Sequence, residues 1–347
     1  MNKKRVLLVG AFSHDPTVYT YASSFHTALE TLGYQVLPFN YRPRPSSFLP
    51  GTNRLSTYLS RLQINKKLVQ EARSFKPEIV FIVKGEMITP HALLQLKTLG
   101  ARIANFYPDN PFALWNGNST PHVLHALPLF DCFLSWSERL TPALLASGAR
   151  HSCPFPFAYD SGLFNPSLTF SAAELAPYAS DVCFVGTWEP KREELLEQAI
   201  RQLPQYSFAI WGNHWDKQTR SALVRSRLRG PAIYGSTLVK AYKGASIILN
   251  FLRDQNADAH NMRSFEAPAL HTFLLTERSS WSAQGLFVEG VSSACFSGPQ
   301  ELCAKIDYYL RNPDKRDSIS QHAHAVAQHY SLEKQLQHYL WSCPFLR

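Results

Sequence analysis

Short apolar runs alternate along this chain with longer stretches whose apolar residues recur every three or four positions. That is the pattern of strand–helix–strand units built around a parallel sheet. In the first half the runs predict strands at 5–12, 35–40, 79–84, 102–107 and 131–135, and the periodic stretches predict helices near 18–32, 55–75, 90–99 and 138–146. Gly33, Gly100 and Gly148 each follow one of these helices, where a left-handed residue commonly ends the helix. A loop rich in Pro, Ser and Phe (154–177) precedes a second set. There, strands are predicted at 180–185, 207–211, 232–234, 246–249 and 272–276. Helices are predicted near 191–202, 219–228 and 237–243, at a short element opening at Arg263, and at 299–311, 315–329 and 331–340.

Two consecutive α/β sets joined by one linker predict two Rossmann-like domains facing each other across a cleft, with ligands at the carboxyl ends of the strands. The expected division is a first domain at 1–165, a second at 178–328 and a closing helical segment at 329–347. A length of 347 residues, beyond what one core usually organises, agrees with two domains. No internal repeat or low-complexity tract interrupts the pattern.

Composition narrows the class. Hydrophobic residues make up 45% of the chain, yet no run approaches the ~18 apolar residues that cross a bilayer. The opening Met1 to Gly10 begins like a secretory leader but turns polar at Ser13-His14-Asp15, so it reads as a first core strand of a cytoplasmic protein. Six scattered cysteines, none in a C-x-x-C pair, read as reduced thiols rather than disulfides or a zinc site. The net charge of +9 is uneven: residues 1–76 hold 11 Lys/Arg against 3 Asp/Glu, and the remainder 24 against 23. This basic first part, around Tyr41-Arg-Pro-Arg-Pro45 and 54–67, suits an anionic partner such as acidic lipid head groups or a phosphorylated acceptor. A neutral second half argues against a continuous nucleic-acid track.

The chemistry concentrates at Asn261-Met-Arg-Ser-Phe-Glu-Ala-Pro-Ala269. Arg263 and Glu266, three apart, share one face of a first helical turn. The free N–H groups there and the arginine suit a phosphate, and the carboxylate suits the vicinal hydroxyls of a ribose. Asp258, eight positions before Glu266, either contacts a donor sugar or caps the loop. Asp181-Val-Cys-Phe-Val-Gly-Thr-Trp-Glu-Pro-Lys-Arg192 reads as strand, turn and helix start. Gly186 permits close backbone approach, Thr187 offers a hydroxyl, and Lys191 or Arg192 can reach a pyrophosphate. Trp211 and Tyr234 end two further strands, where either can border a nucleobase. Trp215 is the less core-like of the two tryptophans around Gly212. His322 and His324 point apart at helical spacing and read as solvated.

In the first domain the turn after the first strand lacks G-x-G-x-x-G, which excludes the dinucleotide fingerprint. Asp109, His14 and Asp15 follow strands and are the candidates for a general base acting on an acceptor hydroxyl. No Asp-x-Asp pair is present to hold a divalent ion, so no metal is expected.

The second half resembles the spore-maturation (CgeB-like) branch of glycosyltransferases with the GT-B fold. The resemblance rests on Phe184-Val-Gly-Thr-Trp-Glu-Pro-Lys-Arg192, Trp211-Gly-Asn-His-Trp215, Ser246-Ile-Ile-Leu-Asn250, Asn261 to Ala269 and the Tyr308-Tyr-Leu-Arg-Asn-Pro313 segment. It implies a nucleotide-sugar donor on the second domain, with Asn261 in the binding motif, an acceptor on the first, and a C-terminal helix crossing back to the first. It also implies a retaining transfer in which Glu266 occupies the ribose position of a Glu–seven–Glu pair and Asp258 the other. His271 stands where the family has a small glycine. The expected acceptor is a glycan, a lipid-linked species or a protein, with peripheral contact to an anionic membrane as a further expectation. The rival readings are a non-catalytic nucleotide-sugar-binding or regulatory protein on the same scaffold and a nucleotide-sugar epimerase.

Overall fold

A computed structural model describes residues 3–14, 18–42, 54–114, 118–252, 260–279 and 285–342. The chain divides into two compact units, Met1–Phe157 together with Leu332–Arg347, and Ala158–Ser331. Most of the 154–177 stretch, expected as a linker, lies inside the second unit. The Tyr159 amide donates to the Tyr330 carbonyl at 3.2 Å, and Tyr159 bridges Ser331 in parallel. Asp160 then accepts from the amides of Gly162 (3.0 Å) and Leu163 (3.1 Å), which turns the chain at once.

The first unit runs β1 (Arg5–Gly10), α1 (Tyr21–Thr31), β2 (Gln35–Asn40), α2 (Arg54–Phe75), β3 (Ile79–Val83), α3 (Pro90–Thr98), β4 (Arg102–Tyr107), α4 (Pro121–Ala126), β5 (Cys132–Ser135), α5 (Leu140–Ala146) and β6 (Ser152–Pro154). Its six strands are parallel in the order β2-β1-β3-β4-β5-β6, so the order reverses between β1 and β3. Alternate residues face opposite layers, as a strand dictates. Leu7, Val9, Val80, Ile82 and Ile103 pack beneath Leu68 and Ala72 of α2, Leu93 and Leu96 of α3, and Leu144 of α5. On the other face Phe81 and Phe106 meet Phe25 of α1, with ring centroids 5.2 and 5.5 Å apart.

The second unit runs α6 (Ala172–Leu175), β7 (Ser180–Val185), α7 (Pro190–Gln202), β8 (Phe208–Trp211), α8 (Trp215–Gln218), α9 (Ala222–Arg225), β9 (Leu228–Gly230), α10 (Gly235–Lys243), β10 (Ala245–Asn250), α11 (Arg263–Ala269), β11 (Leu274–Glu277), β12 (Ala294–Phe296), α12 (Gly298–Arg311) and α13 (Pro313–Ala327). Its parallel order is β12-β11-β10-β7-β8-β9, which reverses between β7 and β10. The closing helix, α14 (Leu332–Ser342), belongs to the first unit, where Tyr339 packs on Phe155 at 5.5 Å.

Three short strands depart from the periodicity reading. β6 and β12 were not expected, and the strand expected at 232–234 lies at β9 instead. Each has three residues, too few for an alternation of period two to register. The helix expected over 219–228 shrinks to α9, because Ser221 caps it through the Val224 amide and Thr219 is drawn into the interior. Among the described residues no helix is long and apolar enough to cross a membrane. Cys132, Cys183, Cys295 and Cys303 are buried, and Cys153 is half-buried.

Candidate functional site

In an open parallel sheet the crevice outside the strand ends is deepest where the order reverses, since the flanking helices leave on opposite faces. In the second unit that point lies at the ends of β7 and β10. Arg192 crosses it. The buried guanidinium donates from Nη1 to the Thr187 carbonyl after β7 (2.8 Å) and from Nη2 to the Phe251 carbonyl after β10 (3.5 Å). It lies over the Phe184 ring at 5.8 Å and pairs with Glu189 at 3.3 Å. Arg192, read from sequence as reaching for a pyrophosphate, is therefore turned inward as a strand-end clamp. Its neighbour Lys191 is half-exposed and holds Glu277 at 2.5 Å. Glu277, at the end of β11, also accepts from the Leu252 amide at 3.0 Å.

α11 is anchored beside these ends by two asparagine amides. Asn250, fully buried at the end of β10, donates to Asn261 Oδ1 (3.1 Å), and Asn261 donates back to Asn250 Oδ1 (2.8 Å). Asn261 Oδ1 also accepts from the Ser264 amide at 3.3 Å. Asn261 is thus a pin for the helix start. Asn250 is an anchoring residue that periodicity does not flag, although a polar residue closing the Ile247-Ile-Leu249 run was its signal.

Arg263 and Glu266 stand on the first turn of α11, as their spacing requires. The helix has seven residues, so its dipole adds little and the positive charge is essentially that of Arg263. Glu266 is buried, and burial pushes its carboxyl up to about 7. The Arg263 charge opposes this rise and the nearby Asp160 carboxylate adds to it. Burial likewise raises the phenol of Tyr242 and the thiol of Cys183, each against the pull of Arg263. Arg263, Glu266, Tyr242 and Asp160 therefore share one low-dielectric neighbourhood, and sequence spacing alone singled out only the first two.

Several candidates have structural partners instead. A Cβ on Gly186 would meet the Phe184 ring at 2.6 Å, so the fold itself requires that glycine. Trp211 is buried beside Tyr178. Trp215, expected to be the less core-like indole, is 1% exposed and donates from Nε1 to the Gly186 carbonyl at 2.7 Å. Tyr234 keeps 40% exposure at the start of α10, open to a flat ligand. His271 has φ +58°, the conformation a glycine would adopt there, and closes α11 by donating its amide to the Pro268 carbonyl. His324 is buried rather than solvated: its ring lies against His271, tilted by 45° with centroids 3.6 Å apart, and Nδ1 lies 3.1 Å from the Pro268 carbonyl oxygen. His322 is exposed as expected. Asp258 lies outside the described residues.

In the first unit Asp109 follows β4 and accepts a 2.8 Å ion pair from Lys84, which follows β3 in a left-handed conformation. His14 is exposed beyond β1, and Asp15 lies outside the described residues. A residue not anticipated as central there is Glu86. It is buried, accepts from Tyr41 Oη at 2.6 Å and pairs with Arg42 at 2.9 Å, which ties the end of β2 to the turn after β3.

Residues 191–340 match the family described as glycosyl transferase-like. A glycosyltransferase from Rickettsia africae shares 13% identity at TM-score 0.69, covering 100% of this chain and 99% of its own. Anabaena HepE in complex with UDP-glucose shares 16% at TM-score 0.64, over 97% and 99%. A UDP-N-acetylglucosamine 2-epimerase from Listeria monocytogenes, described as putative, shares 10% at TM-score 0.59, over 97% of each chain. The fold is GT-B. No curated protein sequence matches the chain. Within this GT-B chain the family match opens at Lys191 and takes in Asn250, Asn261, Arg263 and Glu266, whereas Gly186 and Thr187 lie just before it.

Proposed function

We propose that the chain transfers a glycosyl group from a nucleoside diphosphate sugar to an acceptor hydroxyl. The observation carrying this reading is the Arg263–Glu266 turn, a cation and a buried carboxyl on one helical face in the unit whose sequence matches the glycosyl transferase-like family. As a carboxylate, Glu266 accepts from both hydroxyls of a ribose, and Arg263 meets the diphosphate. Thr187 adds a hydroxyl at the end of β7, and Lys191 adds a second cation when released from Glu277. Tyr234 is the candidate for stacking on the base.

The finer reading is a CgeB-like hexosyl- or related sugar transferase of the retaining type, active in the cytoplasm. It stabilises the leaving diphosphate with fixed N–H groups and cations rather than a metal. The first unit takes the acceptor, a glycan, lipid-linked species or protein. Asp109 is the leading candidate for its base, with His14 and Asp15 behind it. The HepE complex makes UDP-glucose the first donor to try.

A thermal-shift series with UDP-, GDP-, TDP- and CMP-linked sugars tests the donor. One nucleotide class should raise the melting temperature, and Arg263→Ala and Glu266→Gln should each abolish that rise. A rise unchanged in both variants overturns the reading. The Listeria neighbour keeps one rival in play: isomerised donor formed without acceptor identifies an epimerase. Binding with neither turnover nor isomerisation identifies a regulatory protein.

A further inference from the structure

We propose that the outward face of α2 docks the protein on an anionic lipid bilayer. Tyr58, Leu59 and Leu62 are 56%, 50% and 50% exposed, and no other helix among the described residues exposes three large apolar side chains. Leu59, Leu62, Lys66 and Arg73 follow at intervals of three, four and seven, which puts them on one stripe of a helix. Gln70, exposed, flanks that stripe, and exposed Lys67 lies about 110° round the axis from it. The opposite side is committed to the core: Leu68 and Ala72 are fully buried. Asn65 on that side accepts from the Thr89 amide at 2.9 Å and donates to the Met87 carbonyl at 2.9 Å. Glu71, the only acidic residue of the helix, lies about 150° round the axis from the stripe at 100° per residue.

The face therefore offers leucines for the acyl boundary and cations for head-group phosphates, the two signals that together hold a protein on a membrane surface. It also lies in the basic first part of the chain, where residues 1–76 hold 11 Lys/Arg against 3 Asp/Glu. Charge and apolarity together select the occupant. A nucleic acid would leave the leucines in water. A second copy packed symmetrically would set Lys66, Lys67 and Arg73 against their own mates. An anionic bilayer satisfies both halves of the face. The inference is independent of what the second unit binds.

Flotation of the full chain with phosphatidylcholine vesicles, with and without phosphatidylglycerol, tests it. Binding should need the anionic lipid and weaken with salt. Lys66→Gln with Lys67→Gln should lower partitioning by about twenty-five-fold, taking about fivefold for each charge near the surface. Leu59→Asp with Leu62→Asp should abolish binding, whereas Leu223→Asp, an equally simple change on exposed α9, should leave it intact. Melting curves of the variants should match that of the parent chain, because every substituted side chain is exposed. Four results would overturn the proposal: binding indifferent to phosphatidylglycerol, full binding by the double aspartate variant, release from vesicles by duplex DNA, or a dimer in sedimentation that the same variant dissociates.

Discussion

The Arg192 guanidinium donates to the Thr187 carbonyl at 2.8 Å, from one helix turn back onto the strand end that precedes it. A cation that sequence order places at a phosphate-facing position is instead spent on backbone carbonyls where the strand order reverses. Replacement by leucine removes the donor to the Thr187 carbonyl and the ion pair to Glu189. Arg192→Leu should therefore cost about 3 kcal/mol in urea unfolding. If the arginine is only structural, donor binding per folded molecule should be unchanged. A variant that melts normally but no longer binds donor would return Arg192 to the diphosphate.

Glu266 sets a pH dependence. Its folded-state carboxyl is raised to about 7 by burial, above its usual value of 4.5. Below the unfolded value both states hold the proton and the group contributes nothing. As pH rises from 4.5 towards 7, only the unfolded state gives it up, so stability falls across that window and then levels off. The loss should be on the order of 3 kcal/mol. Glu266→Gln should remove it, so the variant's melting temperature should exceed that of the parent above neutrality and converge with it in acid. Donor affinity should move the opposite way and strengthen as Glu266 ionises, which isothermal titration across neutrality would read.

Trp215 carries a hydrogen bond inside the core. Trp215→Phe keeps a ring in the pocket but removes the indole donor to the Gly186 carbonyl. A cost of about 1–3 kcal/mol is expected. Gly212→Ala should be far worse, because its Cβ would stand 1.8 Å from the same carbonyl oxygen. A loss of more than about 4 kcal/mol, seen as insoluble protein, is the expected outcome. A soluble variant melting like the parent would show that the two turns can separate.

Asp109 is the test of the proposed base. Asp109→Asn should lower turnover by about a hundredfold or more while leaving donor-induced stabilisation intact. Lys84→Met removes its ion-pair partner and should depress activity less. Full turnover in Asp109→Asn would move the search to His14 and Asp15.

Much of this architecture is legible in the chain. β4 and β7 lie where their apolar runs put them, because a strand buried on both faces reads as a continuous apolar run. The three-residue strands β6, β9 and β12 were not legible, since their existence depends on a neighbour already in place. At the candidate site, the 263/266 pair followed from helical spacing alone. Asp160 and Tyr242 did not, because they arrive from segments far away in sequence.

The sequence by itself determined the alternation of strand and helix, the basic first part and the shared face of Arg263 and Glu266, all of which depend on local spacing. Only the tertiary structure decided that Arg192 faces inward, that Asn250 and Asn261 lock α11 to β10, and that the Glu266 carboxyl is buried. Each of these depends on a partner or a dielectric supplied by chain many residues away, and no local pattern encodes what a side chain will meet across the fold.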